Sequence, residues 1–331
     1  MIDYLPAHRP LSPLKVPVRT GLALLALFAA RGLVADDEKF PLAPSPVCVA
    51  QQQKKGLGED DAKKLCRERK KRQNRIYYKA REEPVEMTVG SPPMVADDTG
   101  TPGPRNWEVN FVISGAIAGE NNNFDLQLLD INYGIGDRTQ LKFEIPYELS
   151  RTVEYDAAGN KTTTIQRGIG NATLGVKYRY YDNEESGLSL AFYPQFEFRT
   201  PGARLAEDGG SATPGTAVIL PLLLTREFDY VSLTANIGAE KSSEEPQADF
   251  FSALGLGTRL TDKLAILGEI AGRGLGHGGE QRLLLNVGLK RKLSERNALA
   301  LSIGRDLVTG GDGQKHSYFT VAYQRFIEHR K

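Results

Sequence analysis

Four histidines, His8, His277, His316 and His329, are the natural candidates for proton transfer or metal binding, since imidazole titrates near neutrality and ligates divalent metals. They are scattered, and no metal-ligand spacing joins them to a cysteine or a carboxylate. Gly274, Gly276 and Gly279 fit the G-x-G-x-x-G pattern of a dinucleotide fold. No helix pattern follows them, so no helix N-terminus would be there to receive a pyrophosphate, and they read as a flexible loop. Ser317 stands beside His316, but a hydrolase needs a third group and a defined geometry, and a polar strand start is the simpler reading. No G-x-S-x-G elbow occurs. No cofactor and no metal is expected, and the chain reads as a non-enzyme. Cys48 and Cys66 are the two cysteines; in an exported chain a disulfide between them is the first expectation.

What remains is charge placed at every second position. From Leu141 the chain reads LKFEIPYEL, with Leu141, Phe143, Ile145 and Tyr147 on one side and Lys142, Glu144 and Glu148 on the other. That alternation is the period of a β-strand whose two faces meet different surroundings. Twelve such segments follow one another from Asn106 to about Phe326, most of them ten to thirteen residues long. Globular strands average about five or six residues, whereas tilted strands of about 9–11 cross a hydrocarbon layer. The connections alternate: GIGDR, DNEESG, REFD, TDK and LSERN are tight, and those between them are mostly long and glycine-rich. Outer-membrane barrels show this asymmetry, with short periplasmic turns and longer outer loops. The expected fold is therefore all-β: an antiparallel up-and-down transmembrane β-barrel of about twelve strands, spanning residues 105–327.

Lipid covers the apolar face in such a barrel, and the sheet must close because no water satisfies an open strand edge. The charged positions then face the lumen: Lys142, Glu144, Glu148, Lys177, Arg179, Glu197, Arg199, Glu269, Arg282, Lys290 and Arg305. They describe either a narrow polar conduit with a mildly cationic lining or an interior filled by salt-bridged side chains. The alternation slips at Leu128–Leu129, which predicts a bulge. Pro146, Pro194 and Pro221 each remove a ladder donor, and bulges are expected there too.

Length and composition agree. The 331 residues carry 42 basic and 41 acidic side chains, so nothing suggests a nucleic-acid partner. No apolar run is long enough for a membrane helix. Lys15 and Arg19 precede TGLALLALFAA, which reads as an export signal over residues 1–35, cleaved after Ala35 and directing the chain to a Gram-negative outer membrane. Residues 36–104 read as a periplasmic linker with a basic helix. Within it, residues 54–83 hold twelve basic and six acidic residues, net +6, a stretch suited to anionic lipid, cell wall or a partner, or else a solvated helix. Residues 328–331 form a short tail.

At LLDINYGIGDRTQLKFEIPY and the following GIGNATLGVKYRYY, the chain resembles the meta-pathway-of-phenol-degradation family of transporter-like outer-membrane barrels. Pro146-Tyr147, Gly168-Ile169-Gly170 and Lys177-Tyr178 match that pattern, while Asn171 stands where aspartate is usual. FRTPGAR, residues 198–204, is similar to a Pro-Thr-Gly corner with two residues exchanged. The resemblance implies a barrel that passes small solutes, aromatic or hydrophobic ones included, with outer-membrane lipid as its surroundings. A non-conducting barrel anchoring its periplasmic segment is the second expectation, and a lipid-acting barrel enzyme the third.

Overall fold

The computed structural model describes residues 46–66, 89–183, 186–228, 231–274, 281–308 and 314–329. The export signal with its cleavage point after Ala35, most of the basic segment and the loop carrying Gly276 and Gly279 lie outside the described residues.

Among the described residues there are fourteen strand segments: β1 (Trp107–Ala118), β2 (Asn121–Gly134), β3 (Thr139–Tyr155), β4 (Lys161–Ile169), β5 (Asn171–Asn183), β6 (Leu188–Phe192), β7 (Gln195–Arg199), β8 (Thr216–Glu227), β9 (Val231–Ser242), β10 (Asp249–Thr261), β11 (Leu264–Arg273), β12 (Arg282–Ser294), β13 (Asn297–Val308) and β14 (Ser317–Ile327). They make twelve barrel strands. Only Gly170 separates β4 from β5, and both pair with β3; only Tyr193 and Pro194 separate β6 from β7, and both pair with β5 and β8. Every neighbour is antiparallel, and β1 pairs with β14 from Trp107↔Ile327 to Ile117↔Ser317, so the sheet closes without an edge.

The two faces are inverted relative to a soluble protein. Phe111, Ile237 and Ile303 face outward and are 55%, 63% and 66% exposed, whereas the inward Thr234, Asp306 and Lys177 are 0%, 1% and 3% exposed. An apolar exterior around a polar interior is what lipid selects, and a contiguous apolar surface of this extent is foreign to soluble monomers. At the rim where β1 begins and β14 ends, Trp107 packs on Tyr133 with centroids 4.4 Å apart. That rim also carries the short turns, and is thereby the periplasmic one. The protein is an outer-membrane β-barrel.

The expected bulge is present: β2 and β3 shift register between Gln127 and Leu129, opposite Pro146 and Ile145. Pro194 interrupts its strand between β6 and β7. Pro221 differs from expectation, because β8 pairs with β9 straight through Pro221↔Gly238 with no bulge. The Pro221 carbonyl accepts from Tyr193 N–H at 3.1 Å. In an antiparallel strand a residue's N–H and C=O point to the same side. The missing donor of Pro221 therefore faces the interruption at Tyr193–Pro194 and leaves the β9 ladder whole.

Before the barrel, helix α1 (Pro46–Lys54) and a helical stretch over residues 59–66 are joined by a Cys48–Cys66 disulfide. Glu59, Asp60 and Asp61 begin that second stretch, where carboxylates complement the helix dipole.

Residues 89–104 require a correction. Their proline and glycine content reads as a linker, yet residues 89–99 run inside the barrel and the rest leads out over the rim to β1. Val89, Met94 and Ala96 pack with the inward Ala253, Ala265, Leu267, Ala271, Leu284 and Ala298 in a buried cluster. Gly255 permits this approach: a Cβ there would lie 2.5 Å from the Val89 side chain.

Candidate functional site: a plugged lumen

The wall holds this plug mainly by its backbone. Glu269, buried on β11, accepts the N–H groups of Val95 and Ala96 on its two carboxylate oxygens, each at 2.8 Å, and the Asn286 amide at 3.0 Å. Asn236 on β9 pairs twice with Asp97, accepting its N–H and donating to its carbonyl, both at 2.7 Å. Thr225 accepts the Thr99 N–H at 3.0 Å, and the Thr99 hydroxyl meets Ser189 at 2.5 Å. Thr234 and Ser302 donate to the carbonyls of Val89 and Pro93, both at 3.0 Å. Lys177, from β5, adds the charge: its Nζ lies 3.0 Å from Asp97 Oδ1 and 2.9 Å from the Asp98 carbonyl, over the ring of the buried Tyr193. A segment without secondary structure thus has its polar groups satisfied by wall side chains, as burial demands.

The plug does not fill the lumen. On its periplasmic flank a small cavity of about 70 Å³ is lined by Asp97, Asp98, Glu108 and Asp130 against Lys142, Lys177 and Lys290. Towards the outer mouth a larger cavity, about 310 Å³, lies over Pro92, Pro93 and Met94 and against β1–β3 and β12–β14. Its charged lining is Asp125, Asp130, Glu144 and Lys142.

Each charged position expected in the lumen has a defined place. Lys142 is bonded to Glu144 at 2.6 Å, and Glu144 stands opposite Asp130 in the ladder. Glu148 stands opposite Asp125. Arg179 donates to the Asp137 carbonyl at 2.6 Å and neighbours Asp182 at 3.3 Å, at the periplasmic rim. Glu197 accepts from Asn171 at 2.9 Å; Arg199 shares its face at the outer rim, opposite Asn171, and is exposed. Arg282 bonds Tyr318 at 3.0 Å beside the fully buried Asp306. Lys290 is buried against the small cavity. Arg305 is the exception. It pairs with Ser317 on the outward face, two residues from Ile303, and its neighbour Asp306 is the inward one. Period two fixes this parity, so Arg305 belongs to the outer surface near the rim. The lining of the larger cavity is also corrected in sign: three carboxylates face one ammonium there, so it is anionic and not cationic.

Ser317 and His316 are not assembled into a pair. Ser317 faces outward with Arg305, whereas His316 Nδ1 turns to Asp306 at 3.2 Å. Among the described residues no group of three or more His, Cys, Asp or Glu could hold a metal.

The sequence pattern of the family described as "Putative MetA-pathway of phenol degradation" matches residues 104–314. The chain belongs to that family. Among solved structures it is similar to the COG4313 outer membrane channel from Pseudomonas putida F1, at 16% identity and a TM-score of 0.51, over 67% of this chain and 94% of that one. It is also similar to the KdgM porin in complex with disordered oligogalacturonate, at 10% identity and a TM-score of 0.44, over 67% and 99% of the two chains. The toluene transporter TodX of Pseudomonas putida aligns at 9% identity and a TM-score of 0.35, over 68% and 89%. At such identities the likeness is one of fold. No curated protein matches. The family match begins at residue 104, so residues 89–103 precede the part that defines membership. Asn236, Thr234, Thr225, Ser189 and Ser302, which hold the plug, carry no charge, and a reading that followed charges passed over them. Their shared signal is small polar residues at inward positions.

Proposed function

We propose that this barrel is a conduit for small solutes across the outer membrane, hydrophobic and aromatic ones included, and that residues 89–104 restrict its bore without catalysis. The observation that carries the reading is the 310 Å³ cavity over the plug, polar on one wall and apolar on its floor. Cavities of about 300–1,000 Å³ with few polar groups on an apolar lining suit small molecules. The fold it shares with an outer-membrane channel is consistent with this. Fold alone does not assign an activity. The test is single-channel recording in planar bilayers, comparing the full chain with a variant lacking residues 89–100. A small unitary conductance that rises on deletion supports the conduit. Silence of both proteins at every salt and voltage removes it, and favours instead a barrel that anchors its periplasmic residues, including 54–83, to a partner or the cell wall.

A further inference from the structure

The plug is tied to the arc of wall from β5 to β13. Hydrogen bonds join residues 89–99 to Lys177 on β5, Ser189 on β6, Thr225 on β8, Asn236 on β9, Glu269 on β11 and Ser302 on β13. Across from that arc, β1–β3 line both cavities. Asn110 of β1, Asn132 of β2 and Gln140 of β3 face the small periplasmic one. Further up the same three strands, Ser114, Asp125 and Glu144 face the larger outer one. The two spaces are therefore stacked along one polar stripe of wall.

They also meet. Ser91 of the plug and Asp130 and Lys142 of the wall line both cavities, so these side chains stand between them. Asp130 is packed away at 5% exposure, whereas Ser91 is exposed and Lys142 keeps 18% of its side-chain surface. The other two lysines of the small cavity are more enclosed: Lys177, bound to Asp97, keeps 4%, and Lys290 is 5% exposed. Lys142 is thus the cation at the junction with room to move. Its ammonium is a point charge on a flexible stem, held 2.6 Å from the Glu144 carboxylate.

We propose that a passage for water and small monovalent ions runs past the seated plug along β1–β3, and that the Lys142–Glu144 pair at the junction of the two cavities sets which sign of ion crosses. Charged side chains at a constriction govern ion preference, because a fixed charge within a few ångströms of a passing ion acts strongly in a low-dielectric wall. In the intact pair the two charges largely cancel; removing either one leaves the other to act. The inference deepens the conduit reading, on which it rests, by naming what crosses while residues 89–99 are in place.

The experiment is planar-bilayer recording of the full chain in a KCl gradient, with the reversal potential as readout. K142Q and E144Q are close in shape to the parent residues and break the same ion pair, so a purely structural role would move both alike. K142Q is expected to raise the potassium-to-chloride permeability ratio by at least about threefold and E144Q to lower it by as much, a small part of what a unit charge at this range can exert. Hydrogen exchange over residues 89–100 is expected to match the parent in both. Shifts in the same direction, or none, overturn the proposal, and faster exchange does so by assigning the effect to plug release. K142C, recorded in nitrate salts, is expected to lose its conductance to silver ion added on either side, with the parent unaffected; reaction from one side alone overturns the continuous passage. The variant lacking residues 89–100 separates the two readings. If it conducts while the full chain is silent, the conduit stands and the passage past the plug falls. If it is silent too, the conduit fails and takes the passage with it.

Discussion

Two arcs of one barrel wall, built by the same alternation, face the lumen with opposite chemistry. Along β8–β11 the inward residues against the plug are mostly small or short, among them Thr225, Thr234, Asn236, Ala253, Gly255 and Ala265, with Glu269 a buried carboxylate that bridges the plug. Along β2–β3 they are Asp125, Asp130, Lys142, Glu144 and Glu148. The first arc is a protein core, close-packed against residues 89–99 and bonded to their backbone. The second leaves space, and its charges look at each other across the ladder or into a cavity. The periodicity of a barrel strand therefore says which side a residue faces and nothing about whether that side is filled. Filling depends on side-chain volume and on what else enters.

The comparison breaks most sharply at Lys177, which reaches from β5, between the two arcs, to Asp97 of the plug. Lys177→Met takes the buried cation away from the half-buried Asp97 carboxylate, a change that costs up to about 3 kcal/mol. Hydrogen exchange over residues 89–100 should accelerate strongly, and the unitary conductance should rise; unchanged protection would mean that the plug does not depend on this ion pair. Gly255→Val attacks the packed arc by sterics alone. The new side chain collides with Val89, and overpacking of this kind costs about 1–3 kcal/mol. The second-site change Val89→Ala should restore plug protection, because it vacates the same space; failure of that rescue would place the effect elsewhere in β10. On the open arc the sign reverses. Asp130→Asn removes a like-charge pair and should stabilise the barrel by up to about 1 kcal/mol, read as a higher melting temperature in detergent. A lower melting temperature would make the carboxylate structural. Arg305→Ala, outside both arcs, should stay within about 0.5 kcal/mol of the parent and leave plug exchange as it was.

Much of this was legible in the residues. Leu141 to Leu149 announces a strand with two unlike faces, the slip at Leu128–Leu129 marks the bulge, and the alternation of loop lengths orients the barrel. The inward charges on β3, β5, β11 and β12 follow from parity alone. The outward place of Arg305 follows from the same parity, since counting by two from Ile303 puts it outside. Pro221 shows a limit. A proline is tolerated without a bulge when its missing donor faces a gap in the next strand, and that gap belongs to Tyr193–Pro194, far away in sequence.

The sequence by itself determined a closed sheet in lipid, because strand length, period two and unsatisfied edges leave no other arrangement for these residues. Only the tertiary structure decided what occupies the lumen. VGSPPMVADDTG has no period of its own, so its path is set by Glu269, Asn236, Thr225 and Lys177, which lie on four different strands. Likewise the register that sets Asp125 against Glu148 arises from pairing across a turn and a bulge. A local pattern fixes a face, while the partner on that face is fixed by contacts between residues distant in the chain.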